Sequence, residues 1–309
     1  MKVLFVVSGN HGEISSIIKS QGDSLASSNI EVGYYLIKGK GLRGYLCQVK
    51  PLRTFISNNS FDVIHAHYSL SAFTASLAGA RPLVVSLMGS DVKATKLYKM
   101  LIRLFARFFR WKEIIVKSKD MYDDLGISQA KIIPNGVDLD LFKPMDQNEC
   151  RLRLNWKADK KHVLFPANPL RQEKDFSLAE GSVALLGSSV EMHVFDNVDH
   201  QDTPFLFNAA DVVLLTSKWE GSPNVIKEAL ACCRPVVTTK VGDVEERMKN
   251  VDGCYVSQTR CPEELAELLG KALRFKGQTK GRENILMDGI DSQQVAEKLL
   301  CIYLNVVKS

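Results

Sequence analysis

The sequence predicts an α/β fold with two doubly wound domains, each built around a parallel sheet. Short runs rich in Val, Ile and Leu alternate with helix-length segments, a pattern typical of parallel strands covered on both faces. The pattern occurs twice, on either side of a polar stretch over residues 144–159. A chain of 309 residues can form two separate cores. We therefore expect one domain over residues 1–145 and a second over residues 146–309.

The expected strands follow from the apolar runs in chain order. In such sheets, ligands bind beyond the carboxyl ends of the strands, so facing domains would enclose a site in the cleft between them. The segment over residues 295–304 is predicted to be a helix. The predicted strands are residues 2–7, 32–37, 62–67, 83–87, 114–116 and 131–133 in the first half, and 162–165, 191–195, 212–216, 235–239 and 254–256 in the second.

Composition excludes several classes of protein. Apolar residues make up 45% of the chain and charged residues 24%, which is ordinary for a globular protein. No apolar run approaches the roughly 18 residues that a membrane span requires. The seven cysteines include no Cys-x2-Cys pair and no His/Cys cluster with the spacing of a zinc site. Their odd number fits reduced thiols. We expect a cytoplasmic protein that holds no metal and no cofactor.

The most informative segment contains two carboxylates, Glu220 and Glu228, on either side of a turn that opens a predicted helix. Ser222 suits the N-cap of this helix and Pro223 suits its first position. Free N–H groups at a helix start bind phosphate, and carboxylates accept hydrogen bonds from hydroxyls. This combination suits a sugar nucleotide, and the alternative is an ordinary strand–turn–helix with surface glutamates.

The segment resembles the donor-site signature of retaining glycosyltransferase family 4, whose members have the GT-B fold. The shared pattern is Glu-x7-Glu followed by Ala-x-x-x-Pro-Val-Val, and residues 62–67, 84–91, 132–138 and 241–246 resemble other family segments in the same order. The resemblance implies two Rossmann-like domains facing a central cleft, with a C-terminal helix that crosses back to the first domain. It also implies a metal-independent hexosyltransferase that uses a UDP-sugar or GDP-sugar and retains the anomeric configuration.

The resemblance implies roles for residues of the second domain. Glu220 would contact the sugar hydroxyls and Glu228 the ribose. Lys174 falls where the family has a cation on the donor diphosphate, whereas the family's usual arginine position holds Pro169 and the only arginine of this loop is Arg171. The catalytic candidates are Glu220, Lys174 and Arg171, and the donor-binding candidates are Gly9, Gly221, Ser222, Pro223, Asn224, Val225 and Glu228.

Candidates in the first domain follow its first and fourth strands. Gly9 lies in a glycine-bearing turn, where a backbone can approach a phosphate closely. Met88 and Asp91 are the candidates on the acceptor and sugar side. Many family members have a histidine in place of Met88, and methionine cannot donate a hydrogen bond. This departure leaves open a less hydroxylated donor sugar, or a GT-B protein that binds a nucleotide or partner and transfers poorly. A third hypothesis is a sugar-nucleotide epimerase.

The segment from Lys93 to Lys112 contains seven basic residues and no acidic one. A basic amphipathic helix is typical of proteins that contact anionic lipid, although its apolar face could equally pack on the sheet. We expect a saccharide or lipid-linked acceptor and peripheral binding at the inner face of the cytoplasmic membrane. The net charge of +5 and the absence of a nucleic-acid-binding motif argue against nucleic acid. The expected basic face is Lys96, Lys99, Arg103, Arg107 and Arg110, and the apolar set is Leu97, Leu101, Leu104, Phe105 and Phe108.

Overall fold

A computed structural model describes residues 1–9, 12–39, 41–92, 95–195 and 198–308 of the chain. The chain forms two compact units, Met1–Gly136 with Ser292–Ser309, and Val137–Asp291. The division therefore falls before residue 145. Val137 pairs with Asp291, and Phe142 is buried in the core of the second unit.

The first unit is a six-stranded parallel sheet in the order β2-β1-β3-β4-β5-β6. One face packs against a cluster that includes Leu52 and Phe73. The other packs against Leu25 and against Tyr303 of the C-terminal helix. The elements are β1 (Lys2–Ser8), α1 (Ser16–Ala26), β2 (Glu31–Ile37), α2 (Gly41–Cys47), α3 (Val49–Ser57), β3 (Val63–His67), α4 (Ser69–Ala78), β4 (Leu83–Ser86), α5 (Gly89–Val92), α6 (Lys96–Phe108), β5 (Glu113–Val116), α7 (Lys119–Leu125) and β6 (Lys131–Ile132).

The second unit is a five-stranded parallel sheet in the order β11-β10-β9-β7-β8. Helices cover both of its faces as well. Its elements, followed by the C-terminal helix of the first unit, are α8 (Gln147–Leu154), β7 (Lys161–Phe165), a 3-10 turn (Gln172–Lys174), α9 (Phe176–Ala184), β8 (Val190–Val194), α10 (Thr203–Ala209), β9 (Val212–Leu215), α11 (Asn224–Ala231), β10 (Val236–Thr239), α12 (Val244–Arg247), β11 (Tyr255–Ser257), α13 (Pro262–Arg274), α14 (Gly281–Met287) and α15 (Ser292–Lys308).

Both sheets are doubly wound, which confirms the predicted fold class. Each sheet reverses its strand order once, between β1 and β3 in the first unit and between β7 and β9 in the second. The loops that leave two neighbouring strands at such a point diverge, and they open a crevice at the carboxyl edge where ligands bind. The loops after β7 and β9 carry the catalytic candidates.

Helix α6 has two apolar faces rather than one. Ile102 is buried, and Phe105 packs beside it in the core. The helix ends at Phe108, so Arg110 lies beyond its basic face, contrary to the prediction. Lys93 and Ala94, at the start of the predicted basic segment, lie outside the described residues. Five apolar side chains instead face outward: Leu97 (69% exposed), Met100 (49%), Leu101 (37%), Leu104 (54%) and Phe108 (79%).

Among the residues that the structure describes, no helix combines the length and the apolar character needed to cross a membrane.

Candidate functional site

Lys174 and Glu220 meet at the point where the second sheet reverses its strand order. Lys174 ends the 3-10 turn after β7, and Glu220 lies in the loop after β9. The Lys174 ammonium forms an ion pair with Glu220 Oε1, which also accepts a hydrogen bond of 2.7 Å from the Ser217 hydroxyl. Lys174 is buried, being only 8% exposed. The structure thus joins two predicted catalytic residues in one pair.

Two side chains that the sequence did not single out hold these loops together. The Thr216 hydroxyl lies 2.9 Å from the backbone oxygens of both Lys174 and Asp175. Arg260, in the loop after β11, donates to the backbone oxygens of Thr216 and Ser217 at 2.7 and 2.9 Å and pairs with the Asp175 carboxylate at 2.5 Å. An arginine in a polar loop carries no sequence signal of this role, since most such residues face solvent.

Arg171 differs from Lys174 although it belongs to the same loop. Its guanidinium pairs with Glu173 at 2.5 Å, and 58% of its side chain is exposed. The buried cation of this loop is therefore Lys174, while Arg171 is held at the surface by its neighbour.

Helix α11 begins one residue later than predicted. Pro223 is its N-cap, with extended backbone, and Ser222 does not cap the helix. The prediction of Ser222 as N-cap is wrong because Pro223, at ψ 118°, lies outside the helix while its carbonyl already accepts from the Ile226 amide at 3.3 Å. The amides of Asn224 and Val225 therefore stand at the start of the helix, where no preceding turn supplies their acceptors.

The turn before α11 is packed against the turn after β10. Gly242 has a φ of +53°, and a Cβ at this position would lie 2.2 Å from the Gly221 backbone oxygen. Only glycine fits this contact, so the Val-Gly-Asp segment after β10 fixes the position of the Gly221 turn. Close by in sequence, Asn224 Oδ1 is buried without a hydrogen-bond partner among the described residues. This oxygen is available to a ligand donor.

Glu228 lies inside α11 and is 9% exposed. Burial raises the pKa of this carboxyl to about 7, and the charge of Lys227 only partly opposes the shift. Burial likewise lowers the pKa of Lys227 to about 8, against the charges of Asp243 and Glu228. A buried carboxylate is costly unless hydrogen-bond donors surround it, so Glu228 is suited to accept from ligand hydroxyls.

The predicted residues of the first unit already bind their neighbours. Asp91 Oδ1 accepts from the Ser69 amide at 3.1 Å and from the Ser69 hydroxyl at 2.5 Å, and Oδ2 accepts from the Met88 amide at 2.6 Å. Burial raises the pKa of Asp91 to about 6. Asp91 therefore ties the loop after β4 to the start of α4. Met88 supplies only its backbone amide to this arrangement.

Gly9 follows β1 directly and donates its amide to the Ile37 oxygen at 2.9 Å. A Cβ on Gly9 would lie 2.8 Å from the Leu36 Cβ. Packing against β2 thus accounts for this glycine. The next two residues of the predicted turn, Asn10 and His11, lie outside the described part of the chain.

The family resemblance implies a glycine at the position of Cys233, shortly before the Pro-Val-Val strand. Its φ is +55°, in the left-handed region that favours glycine. The chain adopts this conformation with a buried cysteine.

One group of possible metal ligands lies outside these loops. His162 of β7 and Glu191 and His193 of β8 place their ligand atoms within 4.8 Å of one another. The donor candidates do not include any of the three.

Comparisons with known proteins show similarity to glycosyltransferases in both units. A model of Glycosyltransferase Family 4 matches residues 17–141, and a model of Glycosyl transferases group 1 matches residues 169–274. A teichuronic acid biosynthesis glycosyltransferase named TuaC, from Bacillus subtilis, is 28% identical over 211 residues, which are 59% of this chain and 54% of TuaC. The UDP-Gal:alpha-D-GlcNAc-diphosphoundecaprenol alpha-1,3-galactosyltransferase of Escherichia coli is 24% identical, covering 84% of this chain and 81% of its own.

Solved structures share the fold over the whole chain. The sucrose-phosphate synthase of Thermosynechococcus elongatus superposes with a TM-score of 0.82 at 16% identity, covering 99% of this chain and 98% of its own. HepE of Anabaena in complex with UDP gives 0.73 at 18% identity, covering 97% and 98%.

Proposed function

We propose that this chain, which belongs to the GT-B glycosyltransferases that the family 4 and group 1 models describe, transfers a hexose from a UDP-sugar or GDP-sugar to a saccharide or lipid-linked acceptor. The observation that carries the proposal is the pairing of Lys174 with Glu220 at the strand reversal, next to the turn that opens α11. The names of TuaC and of the Escherichia coli galactosyltransferase support a role in cell-surface polysaccharide or glycolipid assembly.

The donor diphosphate would bind at the start of α11 and at Lys174. The amides of Asn224 and Val225 belong to the N-terminal end of α11, which carries partial positive charge, and Lys174 adds a full positive charge. Glu220 would accept from the sugar hydroxyls and Glu228 from the ribose. HepE has been solved with UDP and with UDP-glucose, which supports a UDP-sugar as the first donor to test.

The transfer would proceed on one face of the sugar and without a metal ion. The acceptor oxygen bonds to the anomeric carbon as the bond from that carbon to the diphosphate breaks, and the acceptor proton passes to the departing diphosphate oxygen. Charge that develops on the diphosphate would be stabilised by Lys174 and the α11 amides, which are fixed before the reaction begins. Holding both substrates in register supplies the rest of the acceleration.

The test is turnover by the purified chain in the presence of EDTA. UDP-hexoses and GDP-hexoses are offered with a polyprenyl-diphosphate N-acetylglucosamine acceptor, and the anomeric configuration of the product is read by NMR. We expect one donor to be consumed, an α-linked product from an α-linked donor, and loss of turnover in Glu220→Gln. Inversion of the anomeric centre or a requirement for added metal would refute the corresponding part of the proposal.

A second candidate function is nucleotide or partner binding with weak transfer. Two observations favour it: Met88 replaces the family's usual histidine, and Arg171 is paired with Glu173 at the surface. Thermal unfolding with UDP, GDP, ADP and CDP, compared with turnover, separates the two candidates. A nucleotide at a hundredfold excess over its dissociation constant stabilises the fold by about 2.7 kcal/mol. Stabilisation without turnover of any sugar nucleotide would favour the binding function.

We also propose that α6 binds an anionic membrane surface. Its exposed apolar stripe of Leu97, Met100, Leu101, Leu104 and Phe108 lies beside the basic residues Lys96, Arg103 and Arg107. A helix with adjacent apolar and basic faces lies in the plane of the membrane, with the apolar side chains in the acyl boundary and the cations on the headgroups. Such binding would bring the chain to a lipid-linked acceptor.

Vesicle sedimentation tests this surface. Wild-type protein should bind vesicles of phosphatidylglycerol and phosphatidylcholine, and binding should weaken with salt because the basic residues contribute. The double variant Leu104→Ser/Phe108→Ser should partition at least tenfold less, since each exposed side chain contributes about 1.5–3 kcal/mol when buried. Leu152→Ser is the control, because Leu152 of α8 is 77% exposed in the other unit. Equal loss in the control, or no loss in the double variant, would refute the assignment to α6.

A further inference from the structure

Three potential metal ligands share one face of the β7–β8 strand pair. In the parallel register, His162 of β7 pairs with Glu191 of β8, and His193 lies two residues further along β8 on the same face. One ligand atom from each lies within 4.8 Å of the others. Two imidazoles and a carboxylate from neighbouring strands are thus gathered around one point.

The hydrogen bonds of His162 fix which of its nitrogens is available. Its Nε2 lies 2.8 Å from the backbone oxygen of Lys157, and a carbonyl oxygen can only accept, so Nε2 carries the proton. The lone pair is therefore on Nδ1, which faces His193 Nε2 at 2.9 Å. Metal-binding histidines typically donate their second nitrogen to a backbone carbonyl or a carboxylate in this way.

Trp156 holds both rings in place. Its indole stacks on the His193 ring at a centroid distance of 3.6 Å with 10° between the planes, and it lies 4.9 Å from the His162 ring. His162 is also fully buried. Ligands held by packing and by a second hydrogen bond do not need to be ordered when a metal binds.

We propose that His162 Nδ1, His193 Nε2 and the Glu191 carboxylate bind one divalent cation of the zinc class, with water completing the coordination. Two imidazoles and one carboxylate form a set of three protein ligands that zinc accepts. With zinc–nitrogen bonds of about 2.0–2.1 Å, tetrahedral geometry places two nitrogens about 3.3 Å apart. The two nitrogen atoms, now 2.9 Å apart, need to separate by only about 0.4 Å.

The Lys157 ammonium competes with the metal for the same carboxylate. It lies 3.1 Å from Glu191 Oε1, and 65% of its side chain is exposed. Lys157 can therefore turn into solvent when a cation binds Glu191, at the cost of a surface ion pair that contributes little.

The expected consequence of binding is structural. The metal would join the edge strand β8 to β7, which leads into the loop of Lys174. Because none of the three ligands belongs to the proposed donor site, metal binding and sugar transfer can be measured, and can fail, independently.

The whole chain, purified and freed of metal with EDTA that is then removed, is titrated with zinc alone in equilibrium dialysis. We expect one zinc per chain and a rise in the midpoint of thermal unfolding. Cobalt at the same site should give visible d–d bands without the near-ultraviolet charge-transfer band of a thiolate ligand. That absence distinguishes this site from the exposed cysteines Cys47 and Cys301.

Glu191→Gln and His193→Asn should each weaken zinc binding at least tenfold while circular dichroism shows an unchanged fold. His200→Asn is the matched control, because His200 is a half-buried histidine of the same unit outside the cluster, and its zinc affinity should equal that of wild type. Zinc binding that survives both ligand variants, a thiolate band in the cobalt spectrum, or the absence of stoichiometric binding would overturn the proposal.

Discussion

The two sheets have related strand orders, but the polar residues at their carboxyl edges differ in their hydrogen bonding. In the first unit, Asp91 accepts three hydrogen bonds from Ser69 and Met88. His65 bonds the Tyr303 hydroxyl at 2.6 Å and the Ser86 hydroxyl at 2.8 Å. In the second unit, by contrast, Asn224 Oδ1 at the start of α11 is buried without a hydrogen-bond partner among the described residues, and burial raises the pKa of Glu228 in the same helix to about 7.

The difference in hydrogen bonding distinguishes residues that stabilise the fold from residues that remain available to bind a ligand. A buried polar group with neighbours for all its hydrogen bonds has little capacity left for a substrate. A buried group without them is costly to the empty protein and is compensated when a ligand binds. Exceptions in the first unit are the ring nitrogens of His67, Gln21 Oε1 and the Ser71 hydroxyl, which are buried without a hydrogen-bond partner among the described residues.

The largest effect is expected from Lys174→Ala. This substitution removes the buried cation that would face the diphosphate, so kcat should fall about 10²–10³-fold, as when one electrostatic group at a developing charge is deleted. Steady-state kinetics with the donor identified by the turnover test measures this fall. Lys240→Ala is the control, because Lys240 follows β10 at the carboxyl edge of the same sheet but forms a solvent-exposed ion pair with Glu245. Comparable activity of the two variants would remove Lys174 from the proposed site.

Glu228→Gln should stabilise the empty protein and weaken donor binding. Burial raises the folded-state pKa from 4.5 to about 7, so the folded state disfavours the charged form. The contribution of the protonated Glu228 carboxyl to folding stability is therefore fully present below pH 4.5 and is lost as the pH rises through 7. Glutamine cannot ionise, so at pH 8 the variant should exceed wild type by about 3 kcal/mol in unfolding free energy, an advantage that disappears toward pH 4.5.

Denaturant unfolding at several pH values measures this advantage, with exposed Glu180→Gln as the control that should follow wild type. Nucleotide affinity should fall roughly 10–100-fold in Glu228→Gln, since a hydrogen bond to a charged group contributes about 1.5–3 kcal/mol. A variant that is less stable than wild type at pH 8 would mean that Glu228 is a structural residue, like Asp91.

Asp91→Ala should destabilise the first unit without changing nucleotide affinity. The substitution leaves the Ser69 and Met88 amides without an acceptor, which should cost about 2 kcal/mol of unfolding free energy. Chemical denaturation measures the loss, and the thermal shift with UDP or GDP measures affinity. A large loss of nucleotide affinity at unchanged stability would instead make Asp91 part of the donor-binding site.

The sequence predicted the fold well because the strands and the division between the units are both marked by short, continuous segments of the chain. Apolar runs mark buried strands, and the polar stretch after residue 144 lies close to the observed division of the chain. The start of α11 was misplaced by one residue because Ser222 and Pro223 both suit a helix start, and only the backbone angles distinguish them.

Features that depend on contacts between distant segments were not predictable. Arg260 reaches loops that lie more than 40 residues away in sequence. His162 and His193 belong to different strands, 31 residues apart, so no short spacing motif brings them together. The sequence left open whether the apolar residues of α6 face outward or pack on the sheet, because a pattern of Leu and Phe does not reveal which of two faces the sheet covers.

The smallest effect is expected from Gly9→Ala, which tests whether this glycine serves packing or the donor. The added Cβ would meet the Leu36 Cβ at 2.8 Å, and crowding of this kind costs about 1–3 kcal/mol, with the lower end expected at a strand end. Thermal unfolding should show the loss, while the dissociation constants for UDP and GDP stay within twofold of wild type. Gly12→Ala is a useful contrast, because a Cβ there meets nothing within 4 Å although φ is +83°. A Gly9→Ala protein of normal stability that binds nucleotide poorly would assign Gly9 to the donor and would make the two carboxyl edges more alike than their hydrogen bonds suggest.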